Sequence, residues 1–194
     1  MTTATTLYRP IEMVRTGYPG LTVLGNPSAG APSATGDSEA LGFDGRHDGL
    51  LLAENLLECR TSFEIVAEFF PSSGGKQEQR FFHIQADSSD DRILMETRLT
   101  ADGQWYADSC VVSGEDVVIL VDPTQLHPLD RWYRYTLSYD GNVLFHRIDD
   151  VTECSRGLPG LRTPRGGVTA IGLRATGDHF FCGCIHQITL SGAR

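Results

Sequence analysis

Short stretches in which apolar and polar residues alternate recur along most of this chain, and glycine-rich turns separate them. In RWYRYTLSYDG, which begins at Arg131, the odd positions from Tyr133 to Tyr139 are aromatic or apolar, and the even positions are mostly polar. A period of two is typical of a half-buried strand. The same pattern predicts strands at Ala40–Phe43, Gly49–Leu52, Ser62–Phe70, Arg80–Gln85, Arg92–Thr100, Gln104–Val112, Val117–Val121, Trp132–Tyr139, Asn142–Ile148, Thr169–Leu173 and Cys182–Ser191.

Turn signals such as PSSGG, ADSSDD, ADG and YDGN stand between these strands. Many short strands with such turns predict an all-β fold, an antiparallel sandwich or barrel. Helical periodicity is almost absent, and the best helical candidate, near Gly49 to Leu57, also fits strand and loop. We expect the following residues to be buried between the sheets: Phe63, Ile65, Ala67, Phe69, Tyr135, Leu137, Ile171, Ile185 and Ile188.

Composition narrows the classes of partner. The chain has 194 residues, 40% of them hydrophobic, which is enough for one domain with a full core. A net charge of -9 without any basic stripe argues against a nucleic-acid partner. No apolar run is long enough to span a bilayer, and the amino terminus lacks the pattern of a secretory signal. We therefore expect a cytoplasmic protein without a membrane partner.

The cysteines agree with that location. Their number, five, is odd, and they show no framework spacing. Cys182 and Cys184 form a close pair, but a structural zinc site needs four ligands and no second pair lies nearby. We expect all five to be reduced: Cys59, Cys110, Cys154, Cys182 and Cys184.

The amino-terminal part of the chain differs from the rest. The segment Gly25–Gly36, GNPSAGAPSATG, is rich in small residues and proline, and the residues ahead of it, from Leu21 to Leu24, fit a strand. We therefore expect residues 1–39 to form an extension that packs on the sandwich. The sandwich domain itself then spans residues 40–194.

Four segments in order resemble the laminin-G-like domains of the concanavalin A-like lectin/glucanase superfamily. LGFDGRHDGLLL resembles their opening motif, SFEIVAEFFPSSGG their next strand, RWYRYTLSYDG their tryptophan strand and FFCGCIHQITLSGAR their closing strand. The matches cover about residues 42–194. The resemblance implies a jelly-roll sandwich of two antiparallel sheets, in which the concave face or the rim loops bind ligands that are often sugars.

One departure from this family bears on metal binding. Many members hold a calcium ion at the rim with an acidic residue of the closing strand and groups of the opening motif, here Asp44 and Asp48. In this chain His186 and Gln187 stand where the acid is common, and an imidazole supplies no oxygen ligand to calcium. We therefore expect no cofactor and no metal, with calcium as the alternative.

The polar faces of the predicted strands contain acids, arginines and aromatic residues. If these faces form one concave sheet, Arg134 is the cation of a groove whose acids lie on neighbouring strands, and aromatic rings flank it, with Tyr106 as a further candidate. Charged and aromatic groups in a concavity are typical of a binding site. The candidate ligand-binding residues are Glu64, Glu68, His83, Glu96, Arg98, Trp105, Trp132 and Arg134.

Several functions remain open from the sequence. The leading hypothesis is a lectin-like domain that recognises a glycan or another polar small molecule in the concave groove. The alternative is an unusual enzyme, a lyase, isomerase or cyclase, with Arg134 as electrophile and a glutamate or His83 as base. A protein-interaction module comes third, and a solvated sheet face without function is the simplest explanation of the charges. The compact acidic motif of the superfamily's glucanases is missing, and no pattern indicates an oligomeric state.

Overall fold

A computed structural model describes residues 5–33, 35–36 and 38–193 of the chain. The protein is an all-β, jelly-roll-type sandwich of two antiparallel sheets. Sheet 1 contains, in spatial order, β14 (Val151–Gly157), β13 (Val143–Ile148), β12 (Tyr133–Tyr139), β6 (Phe63–Pro71), β16 (Cys182–Ser191), β4 (Glu39–Asp44) and β3 (Ser28–Pro32), with β1 (Thr6–Tyr8) also paired to β16.

Sheet 2 lies against the apolar face of sheet 1. It contains, in spatial order, β10 (Asp116–Val121), β9 (Gln104–Ser113), β8 (Arg92–Leu99), β7 (Glu78–Gln85), β15 (Val168–Ile171), β5 (Gly49–Leu52) and β2 (Leu21–Leu24), with the short β11 (His127–Pro128) beside β9. The single helix of the described residues is α1 (Pro10–Thr16). Proline at its first position and left-handed Gly17 after its last fix the two ends.

The core is aromatic and lies between the two sheets. Phe69 stacks on Phe81 with ring centroids 4.7 Å apart, and Trp105 meets Phe69 edge-on at 5.4 Å. All nine residues that we expected between the sheets are buried, at 2% exposure or less. They share the inward faces of β6, β12, β15 and β16, because alternate residues of a strand point to the same side.

The strand predictions are confirmed, with ends that shift by one or two residues. The helical candidate near Gly49 is wrong, since these residues form β5 and then turns. The sequence reading missed α1 and four strands, β1, β3, β11 and β14. No helix of the described residues has both the length and the apolar character needed to cross a membrane.

The described part of residues 1–39 adds strands to both sheets. β1 pairs with β16 and β3 with β4 in sheet 1, whereas β2 pairs with β5 in sheet 2. The amino-terminal segment thus completes edges on both sides of the core.

Candidate functional site

The structure separates the residues that we expected in one groove. Glu64, Glu68, Trp132 and Arg134 belong to the outer side of sheet 1, the side turned away from the core. His83, Glu96 and Arg98 lie on the outer side of sheet 2, and Trp105 is fully buried in the core. The physical reason is that both sheets bury their apolar faces against each other, so their polar faces point in opposite directions. The prediction that all these residues line a single groove is therefore wrong.

An ion-pair network covers the middle of sheet 2. Glu96 accepts a hydrogen bond from Arg80 Nε at 2.9 Å and lies 3.3 Å from Arg98. Arg98 donates to Asp108 at 2.8 Å and also pairs with Glu78. The side chains of Glu96 and Asp108 are only 3% and 8% exposed, although they stand on an outer face. The cations of the buried acids are thus Arg80 and Arg98, and not Arg134 as the sequence suggested.

Burial shifts the pKa values of two acids in this network. It raises the pKa of Glu96, against the attraction of Arg80, and it raises the pKa of Asp108, against the attraction of Arg98. The two carboxylates belong to residues in direct cross-strand register. Clusters of buried groups with shifted pKa values occur often at functional sites.

His83 lies beside this network and is completely buried. Its Nδ1 accepts a hydrogen bond from the Ala175 backbone N–H at 2.8 Å, so the neutral ring carries its proton on Nε2. That nitrogen has no hydrogen-bond partner among the described residues. Burial lowers the pKa of His83 to about 3, and the charge of Arg174 acts in the same direction.

A cleft opens at one end of sheet 2. Its volume is about 620 Å³, and its walls come from two segments, one after β6 and one at the turn from β8 to β9: Ser73, Gly74, Gly75, Gln77, Leu99, Thr100, Ala101 and Gly103. Tyr106 and Leu129 complete the lining. Tyr106 stands opposite Arg98, which stands opposite Glu78, so the cleft adjoins the ion-pair network.

On sheet 1, Arg134 has a less constrained environment than we expected. Its side chain is 52% exposed, and its ion-pair partner is the exposed Asp150 at 3.8 Å. Glu68 stands directly opposite Arg134 in the register, but its carboxylate pairs with His186. Glu64 lies four residues earlier on β6 and pairs with Arg147 at 3.1 Å.

A short hydrogen-bonded chain lies on this outer side of sheet 1. His186 Nδ1 is 2.9 Å from Glu68 Oε2, and His186 Nε2 is 2.7 Å from Ser38 Oγ. His186 is the extra residue of a β-bulge, where Ile185 pairs with Phe69 and Gln187 with Glu68. The bulge turns the imidazole to the face that carries Glu68, because an inserted residue re-aims side chains.

Sequence reasoning noted His186 only as a departure from the calcium pattern, and it missed Ser38. The two residues are 148 positions apart, so no local spacing could have linked them. Trp132 packs beside the imidazole of His186, with ring centroids 6.4 Å apart. The ring centroids of Trp132 and Phe70 are 5.6 Å apart.

The two aspartates of the expected calcium site accept hydrogen bonds from backbone N–H groups. Asp44 Oδ1 accepts hydrogen bonds from the backbone N–H groups of Arg46, His47 and Asp48. Burial alone would raise the pKa of Asp44, but these hydrogen bonds hold it well below its usual range. Asp48 accepts from two further backbone N–H groups, at 2.8 and 3.1 Å. These carboxylates are engaged by backbone N–H groups of their own loop and of Asn26, and His186 is held by Ser38 and Glu68 instead.

We expect calcium chelation to leave the melting temperature unchanged, because a metal stabilises the folded state only if that state binds it. Thermal unfolding in EDTA and in millimolar calcium chloride checks this. A melting temperature that rises with calcium and falls with EDTA would contradict it, and an Asp44→Asn variant would then show whether this loop is the site.

No family model and no curated protein matches the chain. Solved structures do. Domain 4 of a GH43 extracellular arabinanase from Geobacillus stearothermophilus, solved with arabinotriose, matches with a TM-score of 0.59 and 16% identity, over 89% of this chain and 82% of that domain. A SAP-like pentraxin from Limulus polyphemus matches with a TM-score of 0.56 and 14% identity, over 75% of this chain and 71% of its own.

A third match is the enzymatically active domain of tailspike protein 2 of bacteriophage CBA120. Its TM-score is 0.67 at 13% identity, and the match covers 91% of this chain but 29% of the tailspike chain. At such identities the likeness concerns the fold alone. This chain therefore shares its β-sandwich fold with the arabinanase domain, the pentraxin and the matched part of the tailspike protein, as the resemblance to lectin- and glucanase-like proteins implied.

Proposed function

We propose that the protein is a ligand-binding module that recognises a polar small molecule, foremost a glycan, in the cleft beside Tyr106. The observation that carries the proposal is the cleft itself. Its volume of about 620 Å³ falls within the range of ~300–1,000 Å³ that is usual for small-molecule sites. It also combines an aromatic ring with hydroxyl groups, and a sugar offers both apolar faces and hydroxyls to such a surface.

The walls of the cleft support a sugar in particular. Tyr106 is half-buried, so one part of its ring is held by the protein and the other part is accessible. Ser73 and Thr100 bring hydroxyl groups, while Gly74 and Gly103 leave the backbone accessible to a ligand. Backbone and hydroxyl groups of this kind give orientation and specificity in small-molecule sites.

The ion-pair network of sheet 2 adjoins the cleft and adds a second argument for a ligand site there. Arg98 is held by three carboxylates and is 23% exposed, so it presents a fixed cation beside Tyr106. A prearranged donor loses little conformational entropy when it binds a ligand. The arabinanase domain, whose structure holds arabinotriose, adds an analogy of fold to this argument.

We expect Tyr106→Ala to weaken glycan binding by about 10- to 30-fold, because truncation of an aromatic contact in a binding site commonly costs about 1.4–2 kcal/mol. A glycan array that includes arabino-oligosaccharides finds the ligand, and calorimetric titration measures the affinity. Tyr106→Phe keeps the ring and should retain most of the binding.

The matched control is Phe145→Ala. Phe145 is a half-buried aromatic residue on a strand of sheet 1 and lies outside the cleft. Its removal should leave affinity unchanged. If Tyr106→Ala binds like the wild type while Trp132→Ala or Arg134→Ala loses affinity, the ligand site is on sheet 1 and the cleft proposal fails.

A second candidate is an enzyme that acts in the same cleft. The raised pKa values of Glu96 and Asp108 favour it, because a carboxylic acid that keeps its proton nearer neutrality can act as a general acid. The ion pairs that both carboxylates form with arginines instead favour a role in which the acids hold those arginines in position. Asp108→Asn separates the two: in an enzyme it should cut turnover by roughly 10²–10⁴ with little change in affinity.

A further inference from the structure

We propose that Ser38, His186 and Glu68 form a nucleophile, a base and the carboxylate that orients the base, and that they hydrolyse small carboxylic esters on the outer side of sheet 1. The three groups are joined in that order by contacts of 2.7 and 2.9 Å. Hydrolytic triads are recognised by this geometry and not by chain order, since the same arrangement recurs on unrelated folds. The proposal does not depend on the glycan cleft, which lies on the other sheet.

The contacts are compatible with the proton positions that the chemistry needs. An ionised carboxylate only accepts hydrogen bonds, so His186 Nδ1 carries a proton and donates it to Glu68 Oε2. The neutral ring then has a lone pair on Nε2, where it accepts the hydroxyl proton of Ser38. Ser38 Oγ also lies in donor geometry 3.3 Å from Ser33 Oγ, so the longer contact to Ser33 and the shorter contact to His186 compete for the one hydroxyl proton of Ser38.

The imidazole of His186 is held in place by its surroundings. His186 occupies the bulge of β16, its side chain is 8% exposed, and the edge of Trp132 packs against it. Glu68 is 33% exposed and lies on the central strand pair of sheet 1. A base that is oriented by a third group and protected from free rotation is what activation of a serine requires.

The surroundings indicate the substrate class. Phe70 and Trp132 form an aromatic surface beside His186, which suits a short acyl or aryl group. Arg134 stands opposite Glu68 on β12, on the side of β6 that faces away from β16, and is 52% exposed. It adds a positive charge to this face of the sheet, two strands from the strand that carries His186.

The reaction uses water as its one co-reactant. Ser38 Oγ attacks the ester carbonyl carbon while its proton passes to His186 Nε2. The bond to the alcohol oxygen breaks, and that oxygen takes the proton from His186, which leaves an acyl-Ser38. Water then attacks the acyl carbon while one of its protons passes to His186 Nε2. The bond from that carbon to Ser38 Oγ breaks, Oγ takes the proton from His186, and the products are a carboxylic acid and free Ser38.

The test measures hydrolysis of p-nitrophenyl acetate and butyrate by the full chain, together with labelling by a fluorophosphonate. We expect turnover above the buffer rate and a single labelled peptide that contains Ser38. Ser38→Ala and His186→Gln should each lower kcat by roughly 10²–10⁴-fold, and Glu68→Gln should lower it in the same direction with little change in KM.

The control variants are Ser191→Ala and Ser155→Ala, which remove serines outside the triad and should leave hydrolysis and labelling unchanged. Circular dichroism and melting temperatures show that each variant is folded, and active-site labelling reports on Ser38 in the wild type whatever a variant does. If Ser38 is not labelled and the wild type hydrolyses no faster than Ser38→Ala, the three residues only anchor their segment to the sheet, and the proposal is overturned.

Discussion

Acidification from pH 7 to pH 4.5 should destabilise the wild-type protein by about 2–3 kcal/mol more than a His83→Asn variant. His83 is completely buried, and its pKa is lowered to about 3, first by burial and then by the charges of Arg174, Arg80 and Arg92. The unfolded chain takes up a proton near the ordinary histidine pKa of about 6.5, whereas the folded protein does not.

The direction follows from proton linkage. Between about pH 6.5 and pH 3 the unfolded state binds more protons at His83 than the folded state, so stability rises with pH in that window and is lost as pH falls. The slope reaches about 1.4 kcal/mol per pH unit for one group. The acceptor role of Nδ1 supplies the structural reason, because a protonated Nδ1 could no longer accept from Ala175.

The variant isolates this one group. Asparagine does not titrate, and its side-chain oxygen can accept the hydrogen bond that Ala175 donates in the wild type. Glu96 and Asp108 act in the opposite direction, since their raised pKa values make the folded state bind more protons just above the ordinary carboxyl range. They are present in both proteins, so the difference between urea-unfolding curves at each pH reports His83. Parallel pH profiles of the two proteins would contradict the prediction.

The fold could be predicted because strand periodicity is a local property. Phe63, Ile65 and Phe69 occupy every second or fourth position of β6, with Glu64 and Glu68 on the other face, and each of the three is buried as that period requires. The resemblance of four segments to a sandwich family added the architecture. β14 was not predicted because its sequence, VTECSRG, is mostly polar. It lies at the edge of sheet 1 and pairs with a single neighbouring strand.

The site could not be predicted in the same way. Periodicity places Glu68 and Glu96 on the polar faces of their strands, but it does not say that those strands belong to different sheets. One such assignment decides whether two side chains are neighbours or lie on opposite sides of the core. The bulge at His186 is equally non-local in its consequence, because one extra residue in β16 turns an imidazole toward Glu68 and Ser38.

The burial of the network on sheet 2 leads to the second large effect. Glu96→Ala should destabilise the protein by about 3–5 kcal/mol, because it leaves a buried guanidinium without its main partner. Arg80 and Glu96 have side chains only 9% and 3% exposed and are joined at 2.9 Å, while the contact of Arg80 with Glu78 is longer, at 3.8 Å. Water therefore cannot replace the lost carboxylate at little cost.

The matched control is Glu64→Ala on sheet 1. Its ion pair with Arg147, at 3.1 Å, has side chains 42% and 30% exposed, and pairs of this kind contribute about 0–1 kcal/mol. A double variant, Arg80→Met with Glu96→Leu, removes both charges and should recover most of the stability that Glu96→Ala loses, since apolar replacement of a buried ion pair is often neutral or stabilising. Urea unfolding of the four proteins at pH 7 measures the differences. If Glu96→Ala costs no more than Glu64→Ala, solvent reaches the network, and Arg98 would then not be the rigid cation on which the cleft of sheet 2 depends.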